Sequence, residues 1–124
     1  MRILMAVRPL IPRLTDIVEA SERVRAVLGD VSIDVFENDW QRQWLVQRGI
    51  EIISEACRHL TDDIKDRHPE IPWRKVAGIG NVLRHDYENV SPPLIWKLVQ
   101  DDLQVLEKVC REELALEIDR VQDH

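Results

Sequence analysis

Between Arg13 and Leu28, Leu14, Ile17, Val18, Val24 and Leu28 recur with the small Ser21 at helical spacing, so one face of a helix is apolar and the other charged. Pro12 suits the start of that helix and Gly29 its stop. Ser32 to Glu37 reads as a short helical turn capped by Ser32. A long helix is expected from Asp39, its N-cap, to about Leu60, striped by Leu45, Gly49, Ile52, Ile53, Ala56 and Leu60. Thr61 caps a further short helix ending before Pro69. Pro72 opens a helix that ends near Tyr87, and Ser91 with Pro92 and Pro93 starts the last one, since proline is tolerated in a first turn. That last helix should run to about Ile118 along Val99, Leu103, Leu106, Cys110 and Leu114. Helices of this length on short connections pack most easily as an antiparallel bundle. The expected fold is therefore all-α, a single-domain bundle of four to five helices over 13–118, with an N-terminal arm at 1–12 and a tail at 119–124.

Composition narrows the class without changing the fold. The chain has 124 residues, 44% hydrophobic and 32% charged, which suits one soluble domain with one core. Four glycines and one each of Phe and Tyr disfavour a β-rich fold. No apolar run approaches the ~20 residues needed to span a bilayer. Met1–Val7 is too short for a signal-peptide core and precedes Arg8 and two prolines, so no membrane role and a cytoplasmic location are expected. Cys57 and Cys110 occupy apolar helical positions without metal-ligand spacing, and buried reduced thiols are expected. The net charge of −6 argues against a broad nucleic-acid-binding surface. Its distribution leaves room for a local cationic groove: residues 39–85 carry eight bases against seven acids, whereas residues 86–124 carry ten acids against four bases.

The chemistry concentrates at 78–87, Gly-Ile-Gly-Asn-Val-Leu-Arg-His-Asp-Tyr. On a helix Asn81 and His85 share one face, with Arg84 and Tyr87 on the adjoining one. The imidazole exchanges protons near neutrality, while the guanidinium stays cationic and offers a fork matching two phosphate oxygens. Such an edge suits a phosphodiester. An ordinary structural use is also open, with Arg84 pairing to Asp86 or Glu88 and Tyr87 covering the core. Gly78 and Gly80 each cost ~1 kcal/mol relative to alanine in a helix, so each implies close approach, either by another backbone or by a substrate's phosphate. Elsewhere the patterns are plainer. Arg48, Glu51 and Glu55 have the spacing of a surface ion-pair ladder. The four tryptophans, Trp40, Trp44, Trp73 and Trp96, suit core or interface packing. No Gly-rich phosphate loop, nucleophile elbow, HExxH or CxxC occurs.

Three blocks give the chain a resemblance from about Arg13 to Leu114 to the HepT-like ribonucleases, toxins of HEPN/MNT toxin–antitoxin systems. The first is Arg48-Gly-Ile-Glu-Ile-Ile-Ser-Glu-Ala-Cys57, similar to a family helix ending in Gly-Glu-Ala, with Ser54 in place of that glycine. The second runs from His68 through Trp73 to His85-Asp86-Tyr87, and the third is Ile95-Trp96 followed by Val99-Gln-Asp-Asp-Leu103. The family motif is an arginine, four to six residues, then histidine, any residue and tyrosine. His85, Asp86 and Tyr87 match its second half, but the position that usually carries the arginine is Gly80. Arg84 is the nearest cation, ~40° of helix rotation from the direction of Gly80. The resemblance implies a HEPN-like, dimer-forming bundle whose motif helices line a shared cleft and cleave RNA without a metal or other cofactor. Arg84 and His85 would be catalytic, with Asn81, Tyr87 and Glu55 supporting them. It also implies a minimal nucleotidyltransferase (MNT) antitoxin as partner, able to transfer AMP to Tyr87. If the missing arginine matters, Gly80→Arg is expected to raise cleavage.

Overall fold

The computed structural model describes residues 10–86 and 90–123, and the described residues are helical between short turns, with no strand among them. Helix α1 is Leu10–Leu28 and α2 is Ile33–Glu37. Helix α3 is Trp40–Arg58, α4 is Asp62–Arg67 and α5 is Trp73–Asp86. Helix α6, Pro92–Leu98, passes through a five-residue π-helical stretch, Val99–Leu103, into α7, Gln104–Gln122. The expected all-α bundle is the observed one.

The caps are those the side chains dictate. Ser32, Asp39, Thr61 and Ser91 each accept a hydrogen bond from the backbone N–H three residues on, which satisfies an otherwise orphan donor at a helix start. Gly29 ends α1 in the left-handed region at φ +56°, where a side chain would be strained. Two boundaries lie outward of those expected. Helix α1 begins at Leu10, three residues before Arg13, because proline fits a first turn and Pro12 occupies one. Helix α7 continues to Gln122.

Helix α3 is the centre of the bundle, with α1 packed on one side and α5 on the other, and α7 closing over α1. Every residue of the expected α1 stripe is buried. On α3 the buried arc keeps Gly49, Ile53 and Ala56 of the expected stripe and adds Val46, Ile50, Ser54 and Cys57; Leu60 is buried just past the helix, whereas Leu45 is 59% exposed. The arc is centred between two flanking helices, so Leu45 falls on its rim above a groove against α1. Burying each of the larger aliphatic side chains contributes ~1.5–3 kcal/mol, which is the main force holding α1, α3 and α7 together.

Trp73 and Trp96 lie against the core, their indole N–H groups donating to the carbonyls of His68 at 3.0 Å and Val31 at 3.4 Å. Trp40 and Trp44 stand out from α3 at 58% and 63% exposure, touching edge to face with ring centres 4.9 Å apart. Cys57 and Cys110 are buried free thiols. Desolvation pushes the Cys57 thiol up to about 12, so it stays protonated and inert. Among the described residues no helix is long and apolar enough to cross a membrane.

Candidate functional site at the seam of α3 and α5

Helix α5 lies along α3 and carries the polar edge on its last two turns. Its apolar residues Val76 and Leu83 are buried with Gly80, which leaves Asn81, Arg84, His85 and Asp86 exposed. Tyr87 lies outside the described residues. A helix C-terminus carries partial negative charge, so a cationic last turn is favoured there.

The four groups do not all face one way. Arg84 borders a crevice of about 200 Å³ together with Arg13, Asp16, Arg48, Glu51 and Glu55. It also borders a neighbouring one of about 370 Å³ with Trp44, Gln47 and Leu83. Among the described residues Arg84 has no hydrogen bond or ion pair, so its fork is unspent. Asn81 and His85 line neither crevice. The helix repeat explains this: counted from Gly80, which points at α3, Arg84 is rotated ~40°, Asn81 ~100° and His85 ~140°. The structure therefore brings Arg84 to Glu55 and leaves the imidazole on the edge away from α3.

Glu55 is partly committed elsewhere. It accepts a hydrogen bond from His59 Nε2 at 3.1 Å and lies 3.9 Å from Arg58. The His59 hydrogen bond is the main reason its carboxyl sits below the ordinary value, with Arg58 and Arg84 adding to that against some desolvation. Of the expected ladder, Arg48 pairs with Glu51 at 3.3 Å, and Glu55 pairs one turn onward with His59.

Gly80 and Gly78 meet different surroundings. Gly80 is buried where α5 comes closest to α3, and a Cβ built on it would lie 2.5 Å from Ser54 Oγ and 2.6 Å from Ser54 Cβ. Ser54 donates to the Ala77 carbonyl at 2.7 Å and accepts from the Gly80 N–H at 3.2 Å, and Arg58 Nε also donates to the Ala77 carbonyl at 3.2 Å. The reason for Gly80 is thus close approach within the chain, by the Ser54 side chain of α3. A Cβ on Gly78 would meet nothing within 4 Å.

A larger cavity, about 640 Å³, lies elsewhere, between α1, α4 and α7, and is lined by Leu10, Thr61, Ile64, Arg67, Glu113 and Leu116 among others. Its buried Glu113 is already held by Arg67 at 2.8 Å and His68 at 2.8 Å. Sequence reasoning missed this carboxylate and also the partnership of Ser54 with Gly80. For Ser54 a signal did exist, a hydroxyl in place of a glycine at one end of a recognised block.

A family model described as Ribonuclease HepT-like matches residues 17–113. A protein from Thermococcus cleftensis, named as a candidate ribonuclease HepT, is 38% identical over 93 residues, covering 75% of this chain and 84% of its own. A candidate RNase from Methanocaldococcus jannaschii is 33% identical over 95 residues, covering 77% and 87%. Another from Caldanaerobacter subterraneus is 29% identical over 106 residues, covering 86% and 95%. No solved structure matches the chain significantly.

Proposed function

Because the chain belongs to the HepT-like ribonuclease family, we propose that it is a metal-independent endoribonuclease that acts as a homodimer, with Arg84 and His85 as its catalytic residues. The observation that carries this reading is the unspent guanidinium of Arg84 in the α3–α5 crevice, one residue from an exposed imidazole. His85 takes the proton from a ribose 2′-hydroxyl or returns one to the leaving oxygen, and Arg84 stabilises charge on the crowded phosphorus. Asn81 shares the His85 face and orients the ring or donates to phosphate. Glu55 steers the Arg84 guanidinium electrostatically. The exposed Trp44 beside the crevice, with the exposed Leu45 on α3 and Val82 on α5, offers apolar area for a second protomer.

In this reading the protein is the toxin of a toxin–antitoxin pair and its partner is a minimal nucleotidyltransferase. AMP placed on Tyr87 would put a phosphate beside Arg84 and His85, where it would compete with the substrate's own. A second reading, a catalytically weakened dimer that binds the nucleotidyltransferase or a nucleotide, is favoured by one observation: the motif arginine's position is a glycine buried against Ser54.

Purified wild type, His85→Ala and Arg84→Ala, incubated with RNA in the presence of a chelator, separate the two. Cleavage is expected to fall by roughly 10²-fold or more in each variant, as for loss of a general base or a charge-stabilising donor. A 2′-deoxy substrate should remain intact. Cleavage by wild type that persists unchanged in His85→Ala would overturn the assignment. A folded wild type without any RNA cleavage would favour the binding module.

A further inference from the structure

Ser54 and Gly80 meet at the point of closest approach between α3 and α5. Ser54 is 1% exposed and is fixed by two hydrogen bonds to α5, donating to the Ala77 carbonyl and accepting from the Gly80 N–H. Its side chain is too short to swing clear. A Cβ at position 80 would come within 2.6 Å of both Ser54 Cβ and Oγ, distances that real Cβ atoms do not show. The next heavy atom, Glu51 Cα, is 3.6 Å away, an ordinary contact. The obstruction at position 80 is therefore the hydroxymethyl group of Ser54 and little else. One turn further along α5, Arg84 is the first position on nearly the same bearing with open space before it.

We propose that residue 54 and residue 80 share a single side-chain volume, and that Ser54, by filling it, fixes Arg84 as the guanidinium that α5 supplies to the crevice, beside Arg13 of α1 and Arg48 of α3. Ser54 is a positioning residue: it excludes a cation from position 80 and pins the α5 backbone from which Arg84 projects. The steric half stands on geometry alone, and the functional half rests on the ribonuclease reading. A consequence is that Gly80→Arg by itself collides with Ser54, so the gain in cleavage expected of it from sequence requires Ser54→Gly as well.

The test uses the full chain in two sets. The first compares the thermal midpoints of Gly80→Ala, Ser54→Gly and the double variant, so that the steric question does not depend on accommodating an arginine. Gly80→Ala is expected to lower the midpoint by at least ~4 °C with Ser54 present, and to raise or leave unchanged the midpoint of Ser54→Gly. The second set measures RNA cleavage with and without Arg84→Ala, in wild type and in Ser54→Gly/Gly80→Arg. Arg84→Ala should abolish cleavage in wild type but reduce it less than ~3-fold in the double variant, where the introduced guanidinium takes over. A merely structural role for Ser54 would leave Arg84 equally necessary in both backgrounds. Additive midpoints overturn the shared volume. Coupled midpoints with Arg84 still indispensable overturn the positioning role. If no protein cleaves RNA, wild type included, the ribonuclease reading and the positioning role built on it fall together, whereas the midpoints still decide the shared volume.

Discussion

Gly78 and Gly80, two positions apart on α5, look identical in the sequence, because the cost of a helical glycine does not say which neighbour it makes room for. Gly80 is pressed on Ser54, and Gly78 faces open space. No backbone contact explains Gly78, and its φ lies outside the left-handed region, so alanine fits there without strain. Gly78→Ala is expected to stabilise the protein by about 0.5–1 kcal/mol through helix propensity and a less disordered unfolded chain, seen as a higher midpoint in chemical or thermal unfolding. Cleavage should be unchanged. A variant that is more stable but cleaves more slowly would mean that substrate approaches the backbone at Gly78, the alternative that the sequence leaves open. The exposed polar edge was legible because Arg84 and His85 belong to one local stretch of α5. Their bearings were legible too, from the helix repeat, once the face of α5 that meets α3 was known. That face depends on Ser54, 26 residues upstream of Gly80, and no local pattern reveals it.

At the scale of elements, two buried carboxylates fasten α7 to the rest of the bundle. Glu107 takes Arg25 of α1 bidentately, both contacts at 2.7 Å, and also Arg111 of its own helix. Glu113 takes Arg67 of α4 and the adjoining His68. Burial by itself would raise the Glu113 carboxyl, but the hydrogen bonds from Arg67 and His68 outweigh it and leave the group below its ordinary 4.5. Glu107 is also lowered, first by Arg25 and then by Arg111, against desolvation. A carboxyl lowered on folding stabilises the native state above its unfolded value, and that contribution disappears as pH falls through the folded one. The wild type should therefore lose stability as the medium is acidified below about 4.5. Glu113→Gln should be less stable at neutral pH by about 1–2 kcal/mol, since its arginine partner is half exposed and part of the interaction is screened. It should also lose less stability between neutral and acid pH, a difference that urea midpoints measured across that range would reveal. A pH profile parallel to wild type would mean that Glu113 does not drive the acid transition. These latches were not legible in the sequence, where both residues count among the acids of the C-terminal third. Their partners lie 82 and 46 residues away, and only the packing of α7 beside α1 and α4 joins them.

For the molecule as a whole, the ~100° between consecutive helix positions has a consequence for the proposed dimer. Arg84 borders the seam with its own α3, while His85, ~140° from the bearing of Gly80, faces outward. A phosphate seated in one protomer's crevice thus meets that protomer's guanidinium readily and its imidazole poorly. If the proposed two-fold dimer forms along the α5 edge, the outward histidine of one subunit would face the crevice of the other, and each of the two sites would take its base from across the interface. Such an arrangement is complementable. Arg84→Ala and His85→Ala homodimers should each be inactive. After the two are unfolded and refolded together, half of the dimers carry one defect on each subunit. Each of those contains one site with both groups intact, so the mixture should recover about a quarter of wild-type cleavage. If each site instead drew both groups from a single subunit, every site in every dimer would carry a lesion and the mixture would stay inactive. The recovery should appear at protein concentrations where sedimentation shows dimers and vanish on dilution to monomers, which separates a shared site from reversion or contamination.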